Sequence, residues 1–264
     1  MRPLRRKRQC AGIAAAVIAA TVAAGWRGVS AAVSAAASKR STWGQILIVG
    51  DEEEGRHPTR FVAELYDPVS NRFASSPPVM NKGRVGATAT VITVGPNAGK
   101  VLVAGGYDDK SGPLTSTEIY DPATDTFASG PDMSVDRDNH TATVIGPGPN
   151  TGKILLVDNS TDLYDPIANT FTAGPAPSHD RSSSTATMIP SGPNAGKILF
   201  AGGVSGIVDP GYETSTELYD PASNAFIPGS AMNVGREDHT ATIIASGSTR
   251  ARFCSSAAGE VATN

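Results

Sequence analysis

From Gly44 onward the apolar residues come in short runs, each cut off by Gly, Pro, Asn or Asp. "TATVI" (Thr88 to Ile92), "VLVA" (Val101 to Ala104) and "TEIYDP" (Thr117 to Pro122) set the rhythm. Runs this short, rich in Val, Ile, Thr and Tyr, predict β-strands rather than helices. The punctuation predicts the turns. Gly reaches positive φ, Pro-Asn favours a bend, and Pro cannot donate to a strand ladder. The pattern predicts an all-β chain of antiparallel strands joined by tight turns.

The strands recur in a fixed order. Tyr-Asp-Pro begins at Tyr66, Tyr120, Tyr164 and Tyr219, and each Tyr is followed by a Phe, at Phe73, Phe127, Phe171 and Phe226. Next come Met80, Met133 and Met232, with Pro177 in the third copy, and then Arg84, Arg137, Arg181 and Arg236. Thr-Ala-Thr follows at Thr88, Thr141, Thr185 and Thr240. "GPNAGKVLVAGG" (Gly95 to Gly106) and "GPNAGKILFAGG" (Gly192 to Gly203) are near copies, with "GPNTGKILLVDN" between them. Each unit reads as a four-stranded meander: Thr-Ala-Thr, the Gly-Gly strand, the Tyr-Asp-Pro strand, and the strand around Phe. One such sheet cannot bury both its faces, so the units are expected to pack face to face around an axis.

"VLVAGGYDD", "STEIYDPATDTF" and "MSVDRDNHTATVI" carry the resemblance to a known family. Gly-Gly, Glu-x-Tyr-Asp-Pro, aromatic, Met, Arg and His in this order resemble the kelch repeat of β-propeller proteins, over about residues 45 to 246. The resemblance implies a β-propeller of four-stranded antiparallel kelch blades. About four repeats are visible, near 45–94, 95–145, 146–190 and 191–246, within a region from 38 to 247. Phe stands where the family usually has Trp. Gly50-Asp51 and Asp158-Asn159 stand where it has Gly-Gly, which implies altered turns in the first and third units. An incomplete ring is expected. The alternative is a four-bladed ring in which a strand at His239 to Ala245 completes the first blade.

The two ends read differently. "MRPLRRKR" followed by the apolar "AGIAAAVIAATVAAG" and by Ala35-Ala36-Ala37 resembles an export signal over residues 1–37. It predicts a secreted, periplasmic or cell-surface protein with no stable membrane span; an Ala-rich helix or an uncleaved anchor is the alternative. After Gly247 the repeat breaks into "STRARFCSSAAGEVATN". Moving the reading frame by two bases permits "NAGKVLFVGG" there, in register with Gly202-Gly203. Residues 248–264 are therefore expected to be a frameshifted, disordered tail.

Charge narrows the partners. The whole chain carries a formal −3, but residues 38 to 247 hold 14 Lys/Arg against 24 Asp/Glu. A domain this acidic repels phosphate backbones and excludes nucleic acid as a partner. Cys10 and Cys254 both lie outside the repeats, so no disulfide framework is expected.

No catalytic constellation emerges. There is no Gly-x-Ser-x-Gly elbow, and Gly105-Gly106 and Gly202-Gly203 lack the Lys-Ser/Thr of a phosphate loop. The glycine pairs are read as strand-end geometry. His140 and His239 occupy equivalent repeat positions, so they are expected to hydrogen-bond within their own blades rather than to bind metal; the four arginines are expected to anchor loops. "GDEEEG" at Gly50 and Asp108-Asp109 read as solvated acidic loops, His57 and His179 as loop residues without a second ligand. No metal and no cofactor is expected. A galactose-oxidase-like enzyme would resemble this chain in fold, but its copper and Tyr–Cys cross-link need a cysteine, and the repeats contain none.

Variable loops on a rigid scaffold are where binding is expected. The candidates are Tyr107, Asp108, Asp109, Tyr212 and Glu213, on loops that share one face with the Met- and Arg-bearing connections. The reading is an exported, non-catalytic binding scaffold for a protein or a glycan. The alternative is a remnant of a longer kelch protein with no independent function. Open blade edges make self-association a further expectation.

Overall fold

The computed structural model describes residues 44–50, 63–205 and 211–244. The leader, most of "GDEEEG" with His57, and the tail beyond residue 244 lie outside the described residues. Among the described residues, four larger sheets and one two-stranded sheet make up the fold. The first has three strands in the order β1 (Ile46–Ile48), β2 (Glu64–Asp67) and β3 (Arg72–Phe73). The second orders β4 (Thr88–Val91), β5 (Val101–Ala104), β8 (Thr117–Asp121) and β9 (Thr126–Ser129). Between β5 and β8 lies a small hairpin that the sequence pattern did not predict, β6 (Tyr107–Asp108) with β7 (Gly112–Pro113). The third sheet runs β10 (Thr141–Val144), β11 (Ile154–Val157), β12 (Thr161–Asp165) and β13 (Thr170–Ala173). The fourth runs β14 (Thr185–Met188), β15 (Ile198–Ala201), β16 (Thr216–Asp220) and β17 (Ala225–Pro228). All pairings are antiparallel, and Val101↔Tyr120, Ile154↔Tyr164 and Ile198↔Tyr219 repeat one register.

The sheets are blades. Strands β4, β10 and β14, the innermost of their sheets, lie side by side. Between successive blades lies an apolar layer built the same way each time. Leu102, Ala104 and Ile119 of the second blade meet Ile154, Leu156 and Tyr164 of the third. Leu155, Val157 and Leu163 of the third meet Ile198, Phe200 and Tyr219 of the fourth. Alternation along a strand sends neighbouring residues to opposite faces, so each central strand feeds two layers at once. That is why "ILLV" is buried at every position instead of alternating.

Each blade closes its last turn by one device. Asn71, Asp125, Asn169 and Asn224 sit at positive φ (55, 60, 54 and 52°). Their side-chain oxygens accept a hydrogen bond from the Tyr hydroxyl five residues back, as in Tyr120 to Asp125 at 2.7 Å and Tyr164 to Asn169 at 2.9 Å. Short polar side chains tolerate this left-handed backbone best among non-glycines. The Phe that follows packs on the Tyr ring, with centroids 5.0 Å apart for Tyr120 and Phe127 and 5.1 Å for Tyr164 and Phe171. Phe therefore fills the place where the family has Trp.

The ring is not closed, in line with the incomplete propeller. The strand expected at His239 to Ala245 differs: Thr240 to Ile244 form no strand and pair with nothing among the described residues. Among the described residues the first blade has three strands. The third blade's Asp158-Asn159 makes a tight turn in which the Ser160 amide bonds the Asp158 carboxylate at 3.0 Å, so no loop is displayed there. No described helix is long and apolar enough to cross a membrane.

Candidate functional site

One end of the blades is built from two kinds of segment. The links between the second and third strands of each blade meet the connectors that lead into each blade. Val85 bridges Tyr107, Leu114 bridges Arg137, and Ser182 bridges Val204. The expectation that these segments share a face follows from the meander, in which alternate turns fall at the same end.

Beneath that face the connector arginines Arg84, Arg137 and Arg181 are buried and heavily bonded, whereas Arg236 is exposed. Arg84 Nε donates to Glu118 at 3.3 Å, and its Nη1 to the carbonyls of Gly105 and Ser116 at 2.8 and 2.7 Å. Arg181 repeats the set with Glu217, Gly202 and Ser215. Arg137 finds two carboxylates, Asp158 and Asp162, because Asp158 replaces the first glycine of the pair. Burial pushes the Asp158 carboxyl up, against the pull of the Arg137 charge and the Ser160 and Asn159 amides. These three arginines tie the loop ends to their blades; Arg236, expected to anchor a loop in the same way, is exposed and bonds only the nearby Val234 carbonyl among the described residues. The three also fasten blades, since the Arg137 carbonyl accepts from Gly106 of the blade before, while its side chain serves the blade after. Gly105 makes this approach possible. A Cβ there would strike the Arg137 carbonyl and the His140 ring.

The histidines require a correction. His140 Nε2 lies 2.9 Å from Thr88 Oγ1, and His239 Nε2 lies 3.2 Å from Thr185 Oγ1. Each ring reaches from its connector to the inner strand of the preceding blade, so the bond joins neighbouring blades instead of lying within one. Burial, reinforced by the Arg137 charge, brings His140 down to about 3. It stays neutral, and its Nδ1 has no partner. Among the described residues no three His, Cys, Asp or Glu side chains gather as a metal site would need.

The candidate binding residues fall on two loops. Tyr107, Asp108 and Asp109 stand on the β6–β7 hairpin of the second blade, and Tyr212 and Glu213 on the equivalent loop of the fourth. Tyr107 and Tyr212 are 42% and 49% exposed, large rings turned to solvent. Asp108 caps its turn by accepting from the Lys110 and Ser111 amides at 3.1 and 2.9 Å. Burial raises its pKa, but the Ser111 and Lys110 bonds and the nearby Lys82 charge outweigh this and hold it below the ordinary carboxylate range. Glu213 accepts from Ser215 Oγ at 2.8 Å. The structure brings the residues of each loop together. No described contact joins one loop to the other, because the third blade stands between them.

Sequence reasoning missed the acids of the connectors. Asp132, Asp136, Asp138, Asp180, Glu237 and Asp238 all lie on connectors at this end. The signal was available: acids recur next to the repeat arginine in "DRD", "HDR" and "RED". The face is an acidic surface carrying two exposed tyrosines.

The opposite end is structural. Lys100, Lys153 and Lys197 of the Gly-Pro-Asn-x-Gly-Lys turns pair with Asp121, Asp165 and Asp220 of their own blades at 3.2–3.3 Å. The Asn of the first two turns serves the next blade: Asn97 bonds the Tyr164 hydroxyl and Asn150 the Tyr219 hydroxyl. This explains why the hexapeptide and Tyr-Asp-Pro recur together.

Comparison with known proteins agrees with this architecture. Residues 84–134 match the family model described as the Kelch motif. No curated protein matches the chain in sequence. Among solved structures, that of YjhT, a kelch-repeat propeller protein, superposes with a TM-score of 0.53 at 12% identity, covering 67% of this chain and 61% of that one. The chain thus spans about three-fifths of YjhT's length. The matched motif spans Arg84, Gly105-Gly106, Tyr120 and Met133. Residues 84–134 are thus similar to a kelch motif, and the blades share the fold of a β-propeller.

Proposed function

We propose that the chain is a non-catalytic binding scaffold whose partner-facing surface is the acidic, tyrosine-bearing end of the blades. The observation that carries this is the pair of exposed rings, Tyr107 and Tyr212, set among connector carboxylates and backed by buried arginines that hold the loops rigid. Exposed aromatics on a preorganised frame bind at low entropic cost. The acidic surround favours a basic polypeptide over an anionic glycan, so of the two partner classes expected, a protein presenting Lys or Arg is the better fit. Export to the cell surface or beyond belongs to this reading and rests on residues 1–37.

The test is a peptide and glycan array probed with the full chain. Saturable binding to Lys/Arg-rich peptides is expected, weakening as salt rises and falling at least about tenfold on Tyr107→Ala or Tyr212→Ala. Equal binding by wild type and both alanine variants would remove these loops from the site. Preference for neutral glycans with no salt dependence would replace the basic peptide by a sugar. No saturable binding on either array favours the second reading, a remnant of a longer kelch protein.

A further inference from the structure

The two outermost blade faces are unfilled halves of the joint used three times inside the molecule. On the first blade, Ile46, Ile48 and Phe73 are 41%, 44% and 53% exposed. By register they are the counterparts of Val101, Val103 and Phe127, of which the two valines are buried. On the fourth blade, Leu199 and Ile189 are only half-buried, whereas their counterparts Leu102, Leu155, Ile92 and Ile145 are buried.

The polar fasteners are halved in the same way. Arg236 repeats Arg137 in its backbone, its carbonyl accepting from Gly203 at 2.9 Å, yet its side chain is exposed and, among the described residues, reaches only the Val234 carbonyl. The acid that Arg84, Arg137 and Arg181 meet at the second position of the Tyr-Asp-Pro strand has one remaining counterpart, Glu64, which is exposed. A Cβ on Gly95 would meet Pro166 of the next blade and one on Gly148 would meet Pro221, but one on Gly192 meets nothing. Finally, among the described residues Thr240 to Ile243 has the sequence of an inner strand and no partner, and β1 carries no inner strand on its outer edge. The register of the complete blades, Thr88↔Ala104 to Val91↔Val101, sets Thr240 opposite Val49 and Ile243 opposite Ile46.

We propose that a second copy of this chain docks head to tail, the fourth-blade face and the Thr240–Ile243 arm of one copy completing the first blade of the other. Charge sign, strand register and apolar pattern all match, because the joint is the one the repeat already encodes. Such a heterologous contact closes into a ring or continues, according to the rotation between blades. It leaves the loop face free and does not depend on the reading of that face.

The test uses the full chain in light scattering and sedimentation over roughly 1 to 100 μM, with Glu64→Arg and Arg236→Glu as variants. Both residues are exposed in one copy, so each variant folds, which far-UV circular dichroism checks. Wild type is expected at a mass of two or more chains. Each variant alone places like charges in the joint and is expected to dissociate at least about a hundredfold more readily. An equimolar mixture of the two restores an opposite-charge pair only between different molecules, and is expected to regain the wild-type mass. A monomer for wild type throughout the range, including one closed on itself, overturns the proposal. So does a mixture that stays monomeric.

Discussion

At the scale of single residues, most of what matters is a buried charge or ring that the repeat pattern located without saying what it does. Arg137 is the clearest. Its side chain is buried against Asp158 and Asp162, so Arg137→Met strands two carboxylates, one of them fully buried. Breaking such a pair from one side costs about 3–5 kcal/mol. Arg236→Met, at the same repeat position but exposed, is expected to change monomer stability by no more than about 0.5 kcal/mol. Urea unfolding of the two variants at low concentration checks this, and equal losses would contradict the burial argument. His140 gives a pH signature. Its pKa is about 3 when folded against 6.5 when unfolded, so between these values the unfolded chain binds more protons. The stability it confers is full above pH 6.5 and is lost as pH falls. By pH 5 the loss is about 2 kcal/mol. His140→Gln removes this component, so the stability gap between wild type and variant is expected to narrow from pH 7.5 to pH 5. A gap constant with pH would show that the ring is not held neutral by the fold. The arginine and histidine positions were legible in the sequence; the direction of their bonds was not. A recurring His says that its surroundings recur, but only the packing of one blade on the next shows that His140 reaches back to Thr88.

At the scale of elements, strand identity and order were legible because Thr-Ala-Thr, Gly-Gly and Tyr-Asp-Pro each carry a strand and its stop. The β6–β7 hairpin was not, since Tyr107-Asp108 and Gly112-Pro113 are two-residue strands with no periodicity to read. The Tyr-to-Asn spacing of five residues was visible but meaningless until the left-handed turn supplied its reason. The inner strand at Thr240 to Ile244 was legible as a sequence and is absent as a strand, because a strand needs a partner and the described chain offers it none. The Gly-Pro-Asn-x-Gly-Lys turns show the same dependence on context. Gly95 and Gly192 each open the same hexapeptide, Gly-Pro-Asn-Ala-Gly-Lys, and are close in backbone, with φ of 81° and 88°. Alanine at either position carries the same left-handed strain, about 1–2 kcal/mol. Only Gly95→Ala also drives a Cβ onto the Pro166 carbonyl of the next blade, adding about 1–3 kcal/mol of overpacking. Thermal or urea unfolding of both variants as monomers is expected to show Gly95→Ala as the more damaging. Equal costs would mean that the turn does not fasten the blades.

At the scale of the whole molecule, the fold is a row of like units whose stability comes from the layers between them, as in other repeat arrays. The third blade is covered on both faces, and Leu155, Leu156, Val157 and Ile154 are all buried to within 0% exposure. The first and fourth blades are covered on one face each. Opening the row from an end exposes one layer, whereas opening at the third blade exposes two. Local opening energies should therefore rise inward from both ends, and unfolding should not be a single all-or-none event for every amide. Native-state hydrogen exchange on the monomer reads this directly. The amides of β11 and β12 are expected to exchange last, those of β1 and β3 early, and those of Thr240 to Ile244 at nearly the rate of an unstructured peptide. When the chain associates through its two open faces, β1 and the Thr240–Ile243 arm should gain protection together while β11 and β12 change little. That joint gain ties the hydrogen-exchange order to the geometry of the free ends. Uniform protection across all four blades would instead show that the row melts as one unit and that the open faces cost the fold nothing.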